Sequence, residues 1–275
     1  MSSIHLGILL CAYNSEKYLP HCLAPWQEAA EKHKISITAV HSQFKEYAEM
    51  GYPDNDKPTL DLLKAAKLDY LYVANDYDTP ESKTPLYEEE HKVRNNGLEY
   101  LIANGADYVT LVDADEVYKP EEIDNLIKYI ESNKLIHYFK IEFKNVVEIG
   151  GQVGYIKGFN PPRVFRVKSK DKRILDTFFW DNDCLFNGKS YKEFSCKNIP
   201  VNLVSPRHFS WLNNETSKKK INYQINHFKG VCSYAWDESE GLIFNEEFYK
   251  NSGQNKPRIW DLEEKDKMLL TTLKG

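Results

Sequence analysis

No stretch of this chain approaches the roughly 18 consecutive apolar residues that a membrane-spanning helix requires, so a soluble protein is expected. Its opening, MSSIHLGILLCAYN, lacks a basic leader before the short apolar run at 6–12 and fits a first core strand better than an export signal. The five cysteines (Cys11, Cys22, Cys184, Cys196, Cys232) are odd in number, scattered and without CxxC spacing. They build neither a disulfide framework nor a thiolate zinc site, and a reducing cytoplasm is the expected setting. Neither sign of charge dominates: the formal net charge of −5 gives no overall attraction to a polyanion. Internal repeats and low-complexity linkers are missing too.

What is present divides into two halves. In residues 1–135, apolar runs at 4–11, 35–40, 69–74 and 107–112 alternate with helical spacing at 15–33, 60–68, 85–104 and 121–133. Strand and helix in alternation predict a parallel sheet wrapped by helices. The polar loops at 44–60 and 75–84 each follow a strand, at the edge where open α/β sheets bind ligands. Residues 136–275 read instead as β-rich, with strands at 137–149, 153–159, 163–167 and 201–204. A helix near 216–228 and an irregular, polar C-terminal stretch follow. This half holds most of the aromatic residues, and with no linker between them both halves are expected to pack as one domain. Basic clusters at 168–173 and 218–220 suit either solvated surface or a phosphate contact.

VTLVDADEV, residues 109–117, runs from a buried strand into Asp113, Asp115 and Glu116. Charge in that position is costly unless something positive meets it. Asp113 and Asp115 can face one cation, and a carboxylate pair suits Mg2+ or Mn2+ sharing phosphate oxygens. Alone, the tripeptide equally describes an acidic turn before the helix at Pro120. The stretch upstream adds a cation. A helix from Arg94 to Asn104 descends about 15 Å, and a strand from Asp107 to Asp113 climbs back about 20 Å. Arg94 therefore returns to the level of the carboxylates, on a buried stripe with Gly97, Leu98 and Leu101. A guanidinium there makes either a diphosphate pocket or a plain helix-to-strand salt bridge. Gly97 would let the helix approach the sheet closely.

RNNGL at Arg94–Leu98, ANGADYVTLVDADE at Ala103–Glu116 and ILLCAYNSEKYL at Ile8–Leu19 together resemble the composite signature of family 2 glycosyltransferases with the GT-A fold. The resemblance covers about the first 130 residues. It implies a Rossmann-like, mostly parallel central sheet flanked by helices, with 1–135 as the nucleotide-sugar half and 136–275 as the acceptor side. The implied activity is metal-dependent transfer of a sugar, with inversion, from a nucleotide-diphosphate sugar (UDP-type in the first place) to an acceptor hydroxyl. Mn2+ or Mg2+ would sit on Asp115 and Asp113, with Asp113 also near the ribose or sugar and Ala114 beside it. Arg94 and Asn95 would line the donor pocket, and Ala12, Tyr13 and Asn14 would skirt the base. One departure concerns the base: the second strand ends in VHSQFKE, 40–46, without the acid usual in the family. Asp54, Asp56 and Asp76 are the candidates to replace it.

Two further parts are needed. PRHFSW at 206–211 resembles a pattern that supplies a third metal ligand in some members, which would be His208; a hydrogen-bonded structural histidine fits as well, and His227 is a weaker rival. An acceptor hydroxyl must also lose its proton to a general base. DTFFWDNDC at 176–184 offers Asp183 or Asp181 among aromatic residues, with Glu193 next, although a turn explains these acids too. Arg163 and Arg166 in PPRVFR are candidate phosphate or sugar contacts. Two other classes compete. A sugar-1-phosphate nucleotidyltransferase wants a Gly-rich, Arg-containing loop where this chain has CAYNS at 11–15. A binding module without turnover would show a broken Asp-x-Asp, and here it is intact. The acceptor stays open among a glycan, a protein, a small molecule and a modified DNA base, with the acidic net charge weighing against DNA.

Overall fold

The apolar runs of the first half become the parallel core of a large sheet. The computed structural model describes residues 4–42, 44, 56–74, 86–170, 172–180, 183–212, 215–227 and 232–274. In chain order the first elements are β1 (Leu6–Cys11), α1 (Leu19–Ala30), β2 (Ile35–His41), α2 (Lys57–Ala65), β3 (Tyr70–Val73), α3 (Leu86–Ala103), β4 (Tyr108–Asp113), β5 (Glu116–Val117) and α4 (Pro120–Glu131). Then come β6 (Tyr138–Lys140), β7 (Phe143–Ile149), β8 (Gln152–Phe159), β9 (Pro162–Arg166), β10 (Lys168–Ser169), β11 (Lys172–Arg173), β12 (Leu175–Trp180), β13 (Asp183–Phe186), β14 (Lys189–Ser190) and β15 (Cys196–Asn198). The chain ends with β16 (Arg207–Trp211), α5 (Glu215–His227), β17 (Tyr234–Asp237), β18 (Gly241–Phe244), α6 (Glu246–Ser252) and α7 (Glu264–Lys274). These form two compact units: Met1–Lys45, Asn55–Glu142 and Asn160–Pro206 make the first, and Glu46–Asp54, Phe143–Phe159 and Arg207–Gly275 the second.

The first unit is mixed α/β. Its seven-stranded sheet runs β15-β6-β9-β4-β1-β2-β3. Every neighbouring pair is parallel except the two that β9 makes, with β4 and with β6. β1 is buried along its whole length, and β4 as far as Val112, as strands covered on both faces must be. Helix α3 packs against β1, β2 and β3. Gly97 permits that approach: a Cβ there would lie 2.4 Å from Leu9 Cδ1 and 2.8 Å from Val40 Cγ1. The helix ends at Gly105, whose φ of +80° suits a residue without Cβ. Helix α4 starts on Pro120, where a missing N–H costs nothing. Helix α1 begins four residues later than its apolar spacing suggests. Ser15 and its neighbours form a turn whose Ser15 carbonyl accepts from Tyr18 and Leu19, and Pro20 occupies the first helical turn.

The second half departs from expectation in three places. The strand expected over 137–149 breaks after Lys140, because β6 pairs with β9 and β15 whereas β7 pairs with β8 and β16. Residues 201–204 are a turn and not a strand: the Pro200 carbonyl accepts from the Leu203 and Val204 amides. The C-terminal stretch is ordered into the β17–β18 hairpin and two helices, and its polarity belongs to their exposed faces. The core of the second unit gathers Val147, Ile149, Ile156, Ile221, Cys232, Tyr234 and Leu242. All five cysteines are free thiols. Among the described residues, no helix is long and apolar enough to cross a membrane.

Candidate active site

Strand order places the site. The chain lays β2 and β3 on one side of β1, returns through α3, and adds β4 on the other side, so the order reverses between β1 and β4. Ligands of open α/β sheets bind at such a reversal, beyond the carboxyl ends of the strands. β1 and β4 end level with one another, Cys11 opposite Asp113. Ala12, Tyr13 and Asn14 leave one strand end, and Asp113, Ala114 and Asp115 the other. A bond from the Ala114 amide to the Cys11 carbonyl, 3.1 Å, holds the two exits together.

Two arginines converge on Asp113. Arg94, buried on α3, places Nη2 at 3.0 Å from Glu90 Oε1 and 3.9 Å from Asp113 Oδ1. The expected return of Arg94 to the level of the carboxylates is therefore met, and a helix-to-strand ion pair is part of what it makes. Burial works against its charge, but Glu90, Cys11 and Asp113 outweigh it and hold the guanidinium protonated well above its ordinary range. Arg163 comes from β9, which runs antiparallel to β4 and so begins where β4 ends. Its Nη2 donates to Asp113 Oδ2 at 2.9 Å and to Glu116 Oε1 at 2.5 Å. Glu116 is fully buried. Burial pushes its carboxyl well above the usual range, Arg163 opposes this, and Asp113 and Asp115 add to it. Glu90, Asp113, Asp115 and Glu116 thus gather around the two guanidinium groups of Arg94 and Arg163.

The loop after β1 is held by its neighbours. Asn14 adopts φ 48°, the left-handed region that asparagine tolerates. Its amide donates to Asp56 Oδ2 at 2.5 Å, and the Ser15 amide donates to Thr59 Oγ1 at 2.8 Å. His41 Nδ1 lies 2.8 Å from the Ala12 carbonyl and 3.8 Å from Asp56 Oδ2. Burial raises Asp56 to about 6, against bonds from Thr59 and Asn14, and lowers His41 to about 4. Asp56 thus turns its carboxyl toward the loop backbone, while Asp54 and Asp76 lie outside the described residues. Tyr13 meets Phe44 edge-on, ring centres 4.8 Å apart.

Asn95 points its amide at β12: Nδ2 donates to the Phe178 carbonyl at 2.7 Å and Oδ1 accepts from the Phe178 amide at 2.9 Å. This ties α3 to the β12–β13 hairpin that carries Asp183. Asp183 is half-buried, bonded to Tyr191 and 3.9 Å from Lys192 Nζ. Asp181 lies outside the described residues, and Glu193 is exposed. His208 belongs to the second unit, with Nδ1 2.7 Å from Asn145 Oδ1, Nε2 2.6 Å from Ser210 Oγ, and its ring stacked on Phe159. The side chain of His227 is outside the described set.

Among the described residues, no group of three or more His, Cys, Asp and Glu side chains is placed to hold a metal ion. Asp113 already faces two guanidinium groups. Asp115, half-buried at the turn after β4, is the carboxylate suited to a hard cation that completes its shell with ligand oxygens and water. Two pairings escaped the sequence, Arg163 with Glu116 and Asp56 with Asn14, because no local spacing connects residues 47 and 42 positions apart.

No family model matches the chain, and no curated protein does. Among solved structures it is similar to S. aureus TarS residues 1–349 in complex with UDP-GlcNAc, at 16% identity and a TM-score of 0.48, over 78% of this chain and 61% of that one. For TarS 1–349 alone the values are 13%, 0.45, 80% and 63%. For its complex with UDP they are 17%, 0.37, 52% and 36%. The chain thus spans less than two thirds of the length of these structures.

Proposed function

We propose that this protein is a glycosyltransferase that takes its sugar from a nucleotide diphosphate donor, UDP-type first, and passes it to an acceptor hydroxyl with inversion. One observation carries the reading: at the strand reversal, Asp113 is fixed between Arg94 and Arg163, with Asp115 half-buried beside it at the turn after β4. Asp115 would hold Mn2+ or Mg2+ together with diphosphate oxygens, and Asp113, oriented by its arginines, would accept from a ribose or sugar hydroxyl. When bound, such an ion neutralises the charge that develops on the leaving diphosphate. Ala12–Asn14, pinned by Asp56, would border the base. Asp183 would take the acceptor's proton, with Asp181 the alternative.

The test is nucleotide release from UDP-, GDP-, dTDP- and CMP-sugars with Mn2+ and then with EDTA, on wild type and Asp115→Ala. Slow hydrolysis of one donor, lost with EDTA and with the substitution, is the expected result. No turnover and no nucleotide bound in the presence of metal would overturn the reading in favour of a binding module.

A further inference from the structure

The second unit holds a constellation that the proposed sugar transfer does not use. Asn145 on β7 and His208 on β16 stand opposite one another across a parallel pair, and His208 Nδ1 lies 2.7 Å from Asn145 Oδ1. An amide oxygen only accepts, so Nδ1 carries the ring hydrogen and Nε2 is the basic nitrogen. Nε2 lies 2.6 Å from Ser210 Oγ, and with that tautomer the hydroxyl must donate to it. Register explains how two residues of one strand meet in this way. His208 to Trp211 is three steps along β16, whereas Asn145 to Val147 opposite is two along β7. Such a bulge re-aims a side chain. The imidazole plane is fixed as well, stacked on Phe159 at 5.4 Å and met edge-on by Phe143 at 5.9 Å. Asn145 and these rings suffice to hold a structural histidine; the bulge adds a hydroxyl on the nitrogen that can take its proton. All three polar residues are half-buried, within reach of a small molecule from solvent. A hydroxyl, a base and a group that orients the base, linked in that order, are the parts of an activated nucleophile.

We propose that Ser210, His208 and Asn145 form a second catalytic site, one that cleaves small carboxylic esters. Ser210 Oγ attacks the ester carbonyl carbon as its proton passes to His208 Nε2. The carbon–oxygen bond to the alcohol breaks, and the departing oxygen takes that proton. Water, giving a proton to the same Nε2, then attacks the acyl-serine; the carboxylic acid leaves and the proton returns to Ser210 Oγ. Both steps balance with water as the sole co-reactant. His208 serves as base and then as acid, and Asn145 is a positioning residue that holds its tautomer. This activity is independent of the nucleotide-sugar reading.

The test uses the full chain with p-nitrophenyl acetate, an ester whose leaving group needs no protonation, and with a fluorophosphonate probe that traps activated serines. Expected is nitrophenol release above the buffer rate, and a phosphonyl adduct that peptide mass mapping places on Ser210. Wild type without an adduct on Ser210 overturns the proposal, and this arm needs no variant to fold. Ser210→Ala should abolish both adduct and release, and His208→Gln should slow both about a hundredfold with Ser210 still present. Asn145→Asp, which sets a carboxylate behind the imidazole, should speed both, and Asn145→Leu should slow them about tenfold or more. Melting transitions check that each variant folds. An adduct that forms on Ser210 at the wild-type rate in folded His208→Gln, or release that survives Ser210→Ala, overturns the proposal. Rates that neither Asn145 substitution moves overturn it as well.

Discussion

His41 and Asp56 lie side by side beneath the loop after β1 and respond to pH in opposite directions. His41 falls from 6.5 to about 4 on folding, so between these values the unfolded chain binds a proton that the folded one refuses, and stability rises with pH. Asp56 climbs from 3.8 to about 6, so across nearly the same window the folded chain keeps a proton that the unfolded one has lost, and stability falls with pH. The two slopes offset one another. Wild type should therefore show a nearly flat melting temperature from pH 4 to 6 as far as this pair is concerned. His41→Asn should leave the Asp56 slope, with stability dropping as pH rises, and Asp56→Asn should leave the opposite slope. Melting curves at a series of pH values check both signs. Two falling or two rising profiles would refute the assignment.

At the scale of elements, α3 serves three strands from residues two positions apart. Gly97 lets it lie against β1 and β2, which sets the height of Arg94, while Asn95 replaces a strand neighbour for Phe178 on β12. Gly97→Ala forces a methyl group into Leu9 and Val40, and the overpacking should cost about 1–3 kcal/mol, read as a lower urea midpoint. Asn95→Ala removes both partners of a buried backbone unit and should cost about 1–3 kcal/mol, with faster hydrogen exchange at the Phe178 amide. Unchanged protection at that amide would show that β12 does not depend on α3. This is also where legibility ends. The parallel strands could be read because burial on both faces writes continuous apolar runs, and Arg94 because helix rise and strand rise cancel over a short, uninterrupted stretch. By its place in the motif Asn95 would line the donor pocket; its amide meets β12, whose own position depends on long-range pairing. The turn at 201–204 looked like a strand because its valines are apolar, yet Val201 is 53% exposed and Pro200 fixes the bend.

For the whole molecule, the proposed activity couples stability to ligand. A nucleotide and a cation that bind only the folded first unit must raise its melting transition, by about 2.7 kcal/mol at a hundredfold excess over Kd. Scanning calorimetry should show a shift with UDP and Mn2+ together that EDTA reverses. A shift from UDP alone, equal in size and indifferent to EDTA, would remove the metal from the account. The shared ending of β1 and β4, Cys11 opposite Asp113, carries a different kind of consequence. Side chains along a strand alternate between faces, so gaining or losing one residue inside β4 would turn Asp113 to the far face and bring a neighbour round in its place. The strand behaves like a reading frame. Single-residue insertions are tolerable only outside Tyr108–Asp113, and within it a change of length must come in twos to keep the acid facing its arginines.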